Sequence, residues 1–180
     1  VSEKTELDRL IPTIKIVKKI TPNLKISIDT FRSKVARECI KNGADIINDI
    51  SAGEFDKNMF ETIAELNVPY IMMHMKGDSL TMQNNPVYEN IISEIIMFFE
   101  EKIHKLKSIG FNKIIIDPGF GFGKTLEHNY EILKNLSDFN KLNLPILVGA
   151  SRKSMIYTLL NVSATEALNG TTVVNTISLI

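Results

Sequence analysis

The chain has 180 residues, enough for one domain with a sizeable core, and its 21 basic and 21 acidic residues cancel. That balance argues against a nucleic-acid-binding surface or a basic membrane anchor, and no apolar run reaches membrane-spanning length. The single cysteine, Cys39, excludes an internal disulfide and a cysteine-rich metal site, and it fits a reducing compartment, the cytoplasm.

Residues 3–20 repeat Leu7, Leu10, Ile11, Ile14, Val17 and Ile20 at helical spacing and predict an amphipathic helix. Lys25–Asp29 reads as a short strand, 32–42 as a helix ending at Asn42-Gly43, and Ala44–Asn48 as a second strand. A helix near 56–66 and a third strand, Val68–His74, follow. After a polar loop come a long helix around 87–109 closed by Gly110, a fourth strand at Lys113–Asp117 and a helix near 127–137. Leu144–Gly149 reads as a fifth strand, with helices at about 152–160 and 164–180. Ser163 and Glu166 form a capping-box pattern at the start of the last helix. The chain opens on Val1 rather than methionine, and it runs apolar to Ile180 without a glycine cap, so it reads as the middle of a longer protein.

Strands separated by helices imply parallel βαβ units, hence an α/β fold, and the lack of a low-complexity linker predicts one domain over residues 1–180. Five strands do not close an eight-stranded barrel, which takes about 250 residues. Ends that read as cut leave both an incomplete barrel and an open doubly wound sheet in play.

Asp117 to Thr125, DPGFGFGKT, looks like a nucleotide loop but fails the pattern. Only three residues separate Gly119 from Gly123 where a phosphate loop needs four, and G-x-G-x-G is not the dinucleotide motif. The stretch reads instead as an acidic strand end followed by glycines that expose phenylalanines at a loop tip.

Each predicted strand ends in polar residues: Asp29-Thr30, Asn48-Asp49, His74, Asp117, and Gly149 leading into Ser151-Arg152-Lys153-Ser154. In a parallel sheet these ends share one face, where α/β folds bind ligands. Any one of them could merely cap the following helix; five together favour a site. Asp29, Asn48 and Asp117 offer acceptor oxygens suited to the paired N–H donors of an aminopyrimidinone edge, and Lys153 could donate to a ring atom. Met73, Phe120 and Phe122 could supply apolar faces, although ordinary core is the plainer reading of the phenylalanines. The helix start at Ser151–Ser154 suits a carboxylate or phosphate; the alternative is a solvated helix start capped by Ser151. His74 suits a structural role as well as a catalytic one. His104 and His128 sit in charged helical surroundings and read as surface residues. No zinc spacing and no serine-hydrolase elbow is present.

Five segments, ISIDT, IINDIS, MMHMKG, DPGFGFGKTLEHN and LVGASRKSMI, resemble dihydropteroate synthase in order and at family-like spacing over nearly the whole chain. The resemblance implies a TIM (β/α)8 barrel, present here with about five of its eight strands, the first two and the last missing. It implies a transferase of folate biosynthesis, the family that sulfonamides target. The reaction condenses 4-aminobenzoate with 6-hydroxymethyl-7,8-dihydropterin pyrophosphate to give 7,8-dihydropteroate and pyrophosphate. By motif, Asp29, Asn48, Met73, Asp117 and Lys153 resemble the pterin-binding set, and Phe122, Lys153 and Ser154 the aminobenzoate side. Asp29, Asp117 and Lys153 resemble the catalytic residues. The implied mechanism is ionisation of the pterin methylene–oxygen bond followed by attack of the aniline nitrogen. The family's Mg²⁺ is also implied, with its asparagine ligand outside this segment; the Ser-Thr-Arg-Pro-Gly loop and the closing Arg-x-His are absent too. The 180 residues alone are therefore expected to be inactive. The family also implies small-molecule partners only, with no nucleic acid and no membrane, and a homodimer built on the late helices. The rival readings are a pterin-binding methyltransferase domain, which needs no aminobenzoate pocket, and an inactive pterin-binding paralogue.

Overall fold

A computed structural model describes residues 1–77 and 86–180; most of the expected polar loop after His74 lies outside the described residues. In chain order the elements are α1 (Glu3–Ile20), β1 (Ser27–Asp29), α2 (Ser33–Lys41), β2 (Ile46–Asp49), α3 (Met59–Leu66), β3 (Tyr70–Met73), α4 (Ile91–Ser108), β4 (Ile114–Asp117), α5 (Leu126–Lys134), a 3₁₀ segment (Leu136–Leu142), α6 (Ser154–Leu160) and α7 (Leu168–Ile177). The sheet runs β1-β2-β3-β4, with each strand after the first reached through a helix. The chain divides into two compact units, Val1–Met73 with Lys102–Ile115, and His74–Glu101 with Ile116–Ile180.

In the first unit, Ser2 caps α1 by accepting from the Thr5 amide at 3.2 Å. Glu3 and Glu6 lie in its first turn and Lys18 and Lys19 in its last, matching the helix dipole. The first free amide of α2, Ser33 N–H, is satisfied by the Asp56 carboxylate at 2.7 Å, because Arg32 at the cap position brings no side-chain acceptor. Strands β1 and β2 pair in parallel with Ile28 beside Ile47 and Asp29 beside Asn48; β2 and β3 pair with Asn48 beside Ile71 and Asp49 beside Met72. Side chains alternate across the sheet. Ile28, Ile47, Tyr70 and Met72 are buried on one face, where Val35, Cys39 and Ile63 also belong to the core. Asp49 shares that parity, so its buried charge must be met: Ser51 N–H and hydroxyl donate at 2.8 and 2.7 Å, Gly53 N–H at 2.8 Å and the Tyr70 hydroxyl at 2.8 Å. The turn after β2 is thereby locked. Gly53 is required in it, since a Cβ there would stand 2.7 Å from the Phe60 ring with φ at +79°.

In the second unit the sequence-based expectations need three corrections. The fifth strand shrinks to a single parallel bridge, Ile116 to Ile146, made by Ile116 N–H to Pro145 O at 3.0 Å and Leu147 N–H to Ile116 O at 2.8 Å. Pro145 brings no amide donor, which limits the ladder. The last helix begins at Leu168, not near 164. Ser163 turns both its hydroxyl and its N–H on the Glu166 carboxylate, at 2.6 and 3.0 Å, and so closes a turn ahead of the helix. His128 is a capping residue: Thr125 Oγ1 accepts from His128 N–H at 3.2 Å and His128 Nδ1 accepts from Thr125 N–H at 3.2 Å. His104 is exposed, as expected.

Candidate active site

The first unit contributes the ends of β1, β2 and β3. Register sets Asp29 directly beside Asn48 on the face opposite Asp49. Partial burial raises the pKa of Asp29, helped by the negative charges of Asp49 and Glu6. Asn48 Oδ1 is buried and has no hydrogen-bond partner. A buried amide oxygen without a donor costs about 1–3 kcal/mol, so its retention at a strand end needs a reason. Met73 lies two residues beyond Ile71 on the same face and is buried. Beyond β1 a hollow of about 310 Å³ is lined by Asp29, Thr30, Phe31, Arg32 and Ile50, among others. Its wall is braced by Glu6, which accepts from the Thr30 hydroxyl at 2.6 Å and pairs with Arg32.

The second unit contributes the end of β4, the glycine loop and the start of α6. Asp117 is only 8% exposed, and one of its oxygens accepts from Gly119 N–H at 2.8 Å. Burial raises its pKa; the Gly119 amide and the charges of Lys153 and Lys124 pull the other way. The loop beyond it uses left-handed backbone at Gly119, Gly121 and Gly123 (φ +73°, +85° and +63°). A Cβ at Gly123 would lie 2.3 Å from the Lys76 carbonyl oxygen, so only glycine lets the two backbones touch. Lys153 arches over the loop, donating to Phe120 O with its Nζ 4.8 Å from the Phe122 ring centre. Burial lowers the Lys153 pKa while Asp117 supports its charge. Phe122 is half-buried and available at the tip. Phe120 is fully buried and belongs to the core, which corrects the expectation that both rings offer faces to a ligand. Ser154 is exposed at the first position of α6. The cap position belongs to Lys153 without a side-chain cap bond; neither Ser151 nor a long helix dipole is in play, because α6 has seven residues.

Two buried groups meet in this unit: His74, marked in the sequence by its strand-end position, and Lys124, which the sequence reading did not single out. Lys124 is 4% exposed and His74 is 6% exposed. Lys124 Nζ lies 3.0 Å from His74 Nδ1, 3.2 Å from His74 O and 3.0 Å from Phe122 O. Burial lowers the Lys124 pKa to about 7, with Asp117 opposing and Lys153 adding to the fall. Burial lowers His74 to about 2, followed by the charges of Lys124 and Lys76. The first unit thus offers an amide–carboxylate acceptor pair, and the second, taken by itself, a buried carboxylate acted on by two lysine charges and a loop tipped by Phe122.

Comparison with known proteins identifies the family. The family described as pterin binding enzyme matches residues 1–179. This chain belongs to the pterin-binding enzyme family. Among relatives of the family, dihydropteroate synthase of Escherichia coli strain K12 is 44% identical over 172 residues, covering 94% of this chain and 60% of that protein. A solved Yersinia pestis dihydropteroate synthase with a sulfonamide drug complex superposes with a TM-score of 0.94 at 38% identity, covering 99% of this chain and 65% of that one. A Xanthomonas albilineans dihydropteroate synthase with 4-aminobenzoic acid gives a TM-score of 0.90 at 33% identity, covering 99% and 63%. The chain thus spans about three-fifths of the length of these family members. Its α/β alternation of parallel strands and helices is that of an incomplete TIM barrel. Among the described residues no group of three or more His, Cys, Asp or Glu could hold a metal ion. No described helix is long and apolar enough to cross a membrane.

Proposed function

We propose that this chain carries part of the active site of a dihydropteroate synthase, which joins 4-aminobenzoate to 6-hydroxymethyl-7,8-dihydropterin pyrophosphate. The observation that carries the reading is the buried, unpartnered Asn48 Oδ1 beside the Asp29 carboxylate. Adjacent acceptors of this kind match the paired N–H donors on one edge of a pterin, and a charged acceptor adds about 1.5–3 kcal/mol when it is satisfied. Asp29, Asn48, Met73, Asp117 and Lys153 are assigned to the pterin, and Phe122, Lys153 and Ser154 to the aminobenzoate. We take the two units as one pterin-binding domain because the family match runs through both.

In the reaction the pterin methylene–oxygen bond breaks and pyrophosphate leaves with the electron pair. The aniline nitrogen lone pair forms the new carbon–nitrogen bond, and that nitrogen releases one proton to solvent. Asp29 and Asp117 fix the ring edge and offset the positive charge that spreads over the pterin. Catalysis on this account is orientation and electrostatic stabilisation. Titration of dihydropterin pyrophosphate into the natural gene product tests the acceptor pair: Asn48→Leu should weaken binding about tenfold or more, and unaltered affinity would remove Asn48 from the site. A protein that binds the pterin but never 4-aminobenzoate in its presence belongs with the methyltransferase reading.

The same reading makes the protein a sulfonamide target and assigns it to the cytoplasm, where cell fractionation should recover it. It also includes a homodimer built on the late helices, whose exposed Leu159, Leu160, Leu168, Val173 and Ile177 support it. Sedimentation should return twice the protomer mass; a monomer at micromolar concentration would refute the dimer.

A further inference from the structure

Four successive residues of the glycine loop are each tied by a different side chain. Lys153 donates to Phe120 O; Asn129 Oδ1 accepts from Gly121 N–H at 2.7 Å; Lys124 donates to Phe122 O at 3.0 Å; and the Tyr88 hydroxyl donates to Gly123 O at 2.8 Å. Three of these ties come from residues outside the loop. The fourth comes from its own end, from a lysine buried at considerable cost. Lys124 faces three acceptors, His74 Nδ1, His74 O and Phe122 O, which match the three N–H donors of an ammonium. To accept, His74 must be neutral with its proton on Nε2. Its ring is held by the edge-on Phe98 ring at 5.0 Å. Lys124 thus joins the peptide that bears Phe122 to the residue that follows β3.

We infer that Lys124 is a positioning residue: through its bond to the Phe122 carbonyl it sets the Phe122 ring, and with it the fit of 4-aminobenzoate. The inference rests on the proposed function for the identity of that ligand. Lys124 touches no reacting atom on this account, and its effect is confined to one substrate. Replacing Lys124 by an apolar side chain of equal length lifts a desolvation cost but leaves three acceptors without their donor, two terms that oppose each other; a lysine serving stability alone would lower the melting temperature without separating the two substrates.

The test is Lys124→Met in the natural gene product. Its melting temperature should change little, since the relieved desolvation cost opposes the loss of the three donated bonds. KM for 4-aminobenzoate should rise about tenfold or more while KM for dihydropterin pyrophosphate stays within about twofold. The backbone amide resonances of residues 119–123 should shift. Lys124→Gln, which keeps an N–H donor, should fall between the two, and it carries the same measurements should the methionine variant not fold. A folded variant with unaltered aminobenzoate KM and unmoved loop amides overturns the inference. So does a lowered melting temperature with both KM values rising together, which marks a merely structural lysine. A wild-type protein that binds no pterin overturns the proposed function itself; the loop amides of the variant then still decide whether Lys124 holds the loop.

Discussion

Asp117→Asn should lower kcat/KM for dihydropteroate formation by about 100- to 1000-fold, the range for removing one preorganised electrostatic group, with little change in melting temperature. Asparagine keeps the shape of the carboxylate and can still accept from Gly119 N–H, the 2.8 Å bond that starts the loop. The backbone therefore has no reason to move. What goes is a negative charge in a site where water is scarce: Asp117 is 8% exposed. On the proposed function, the pterin cation then loses its compensating charge. Lys153 and Lys124 also lose the negative charge that favours their ammonium forms, so both should be held lower still. A variant within threefold of wild type in steady-state assays of the natural gene product, with an unaltered melting curve, would take Asp117 out of the machinery.

Acid should destabilise the protein well before its carboxylates titrate, and His74 should be the cause. Burial first, then the charges of Lys124 and Lys76, hold its folded pKa near 2, against 6.5 for an ordinary histidine. Below pH 6.5 the unfolded chain takes up a proton that the folded chain refuses, so stability falls as pH falls, with a slope approaching about 1.4 kcal/mol per pH unit. Asp45 acts lower. Hydrogen bonds from Lys18 and Lys25 depress its carboxyl, and its contribution is present above its ordinary value of 3.8 and is lost only beneath it. Asp29 and Asp117, both raised by burial, act the other way, since the folded chain takes up their protons first, so the fall that begins at pH 6.5 belongs to His74 and is opposed as the carboxylate range is reached. His74→Gln keeps an acceptor for Lys124 but does not titrate, and its stability should no longer fall between pH 6.5 and the carboxylate range in chemical denaturation at stepped pH. A slope equal to wild type would show that His74 is not the group responsible. Lys124 acts in the same direction at higher pH: its folded pKa near 7 lies below its ordinary 10.5, so stability should also fall as pH drops from 10.5 towards 7.

Both expectations turn on residues that the sequence displays unequally. Asp117 stands at the end of the run Lys113–Asp117 and before a glycine-rich loop, and that position marks it. The same logic finds Asp29 and Asn48, because period-two alternation and parallel βαβ order place them at strand ends on one side. The first four strands and the helices between them are legible for the same local reasons. The fifth strand is not, since whether Leu144–Gly149 pairs depends on neighbours and on what Pro145 cannot donate. Nor is the start of α7, since the Ser163–Glu166 pair closes a turn ahead of the helix that begins at Leu168.

The sequence by itself determined the α/β order, the polar strand ends and the family, because these follow from side-chain periodicity and from motifs contiguous in the chain. Only the tertiary structure decided that Asp49 is consumed by four donors while its neighbour Asn48 keeps an unpaired oxygen, and that Phe120 is core while Phe122 is at the surface. It likewise decided that Lys124 lies buried against His74, fifty residues earlier in the chain. Burial and hydrogen-bond satisfaction depend on contacts between distant segments, and no local pattern of residues encodes them.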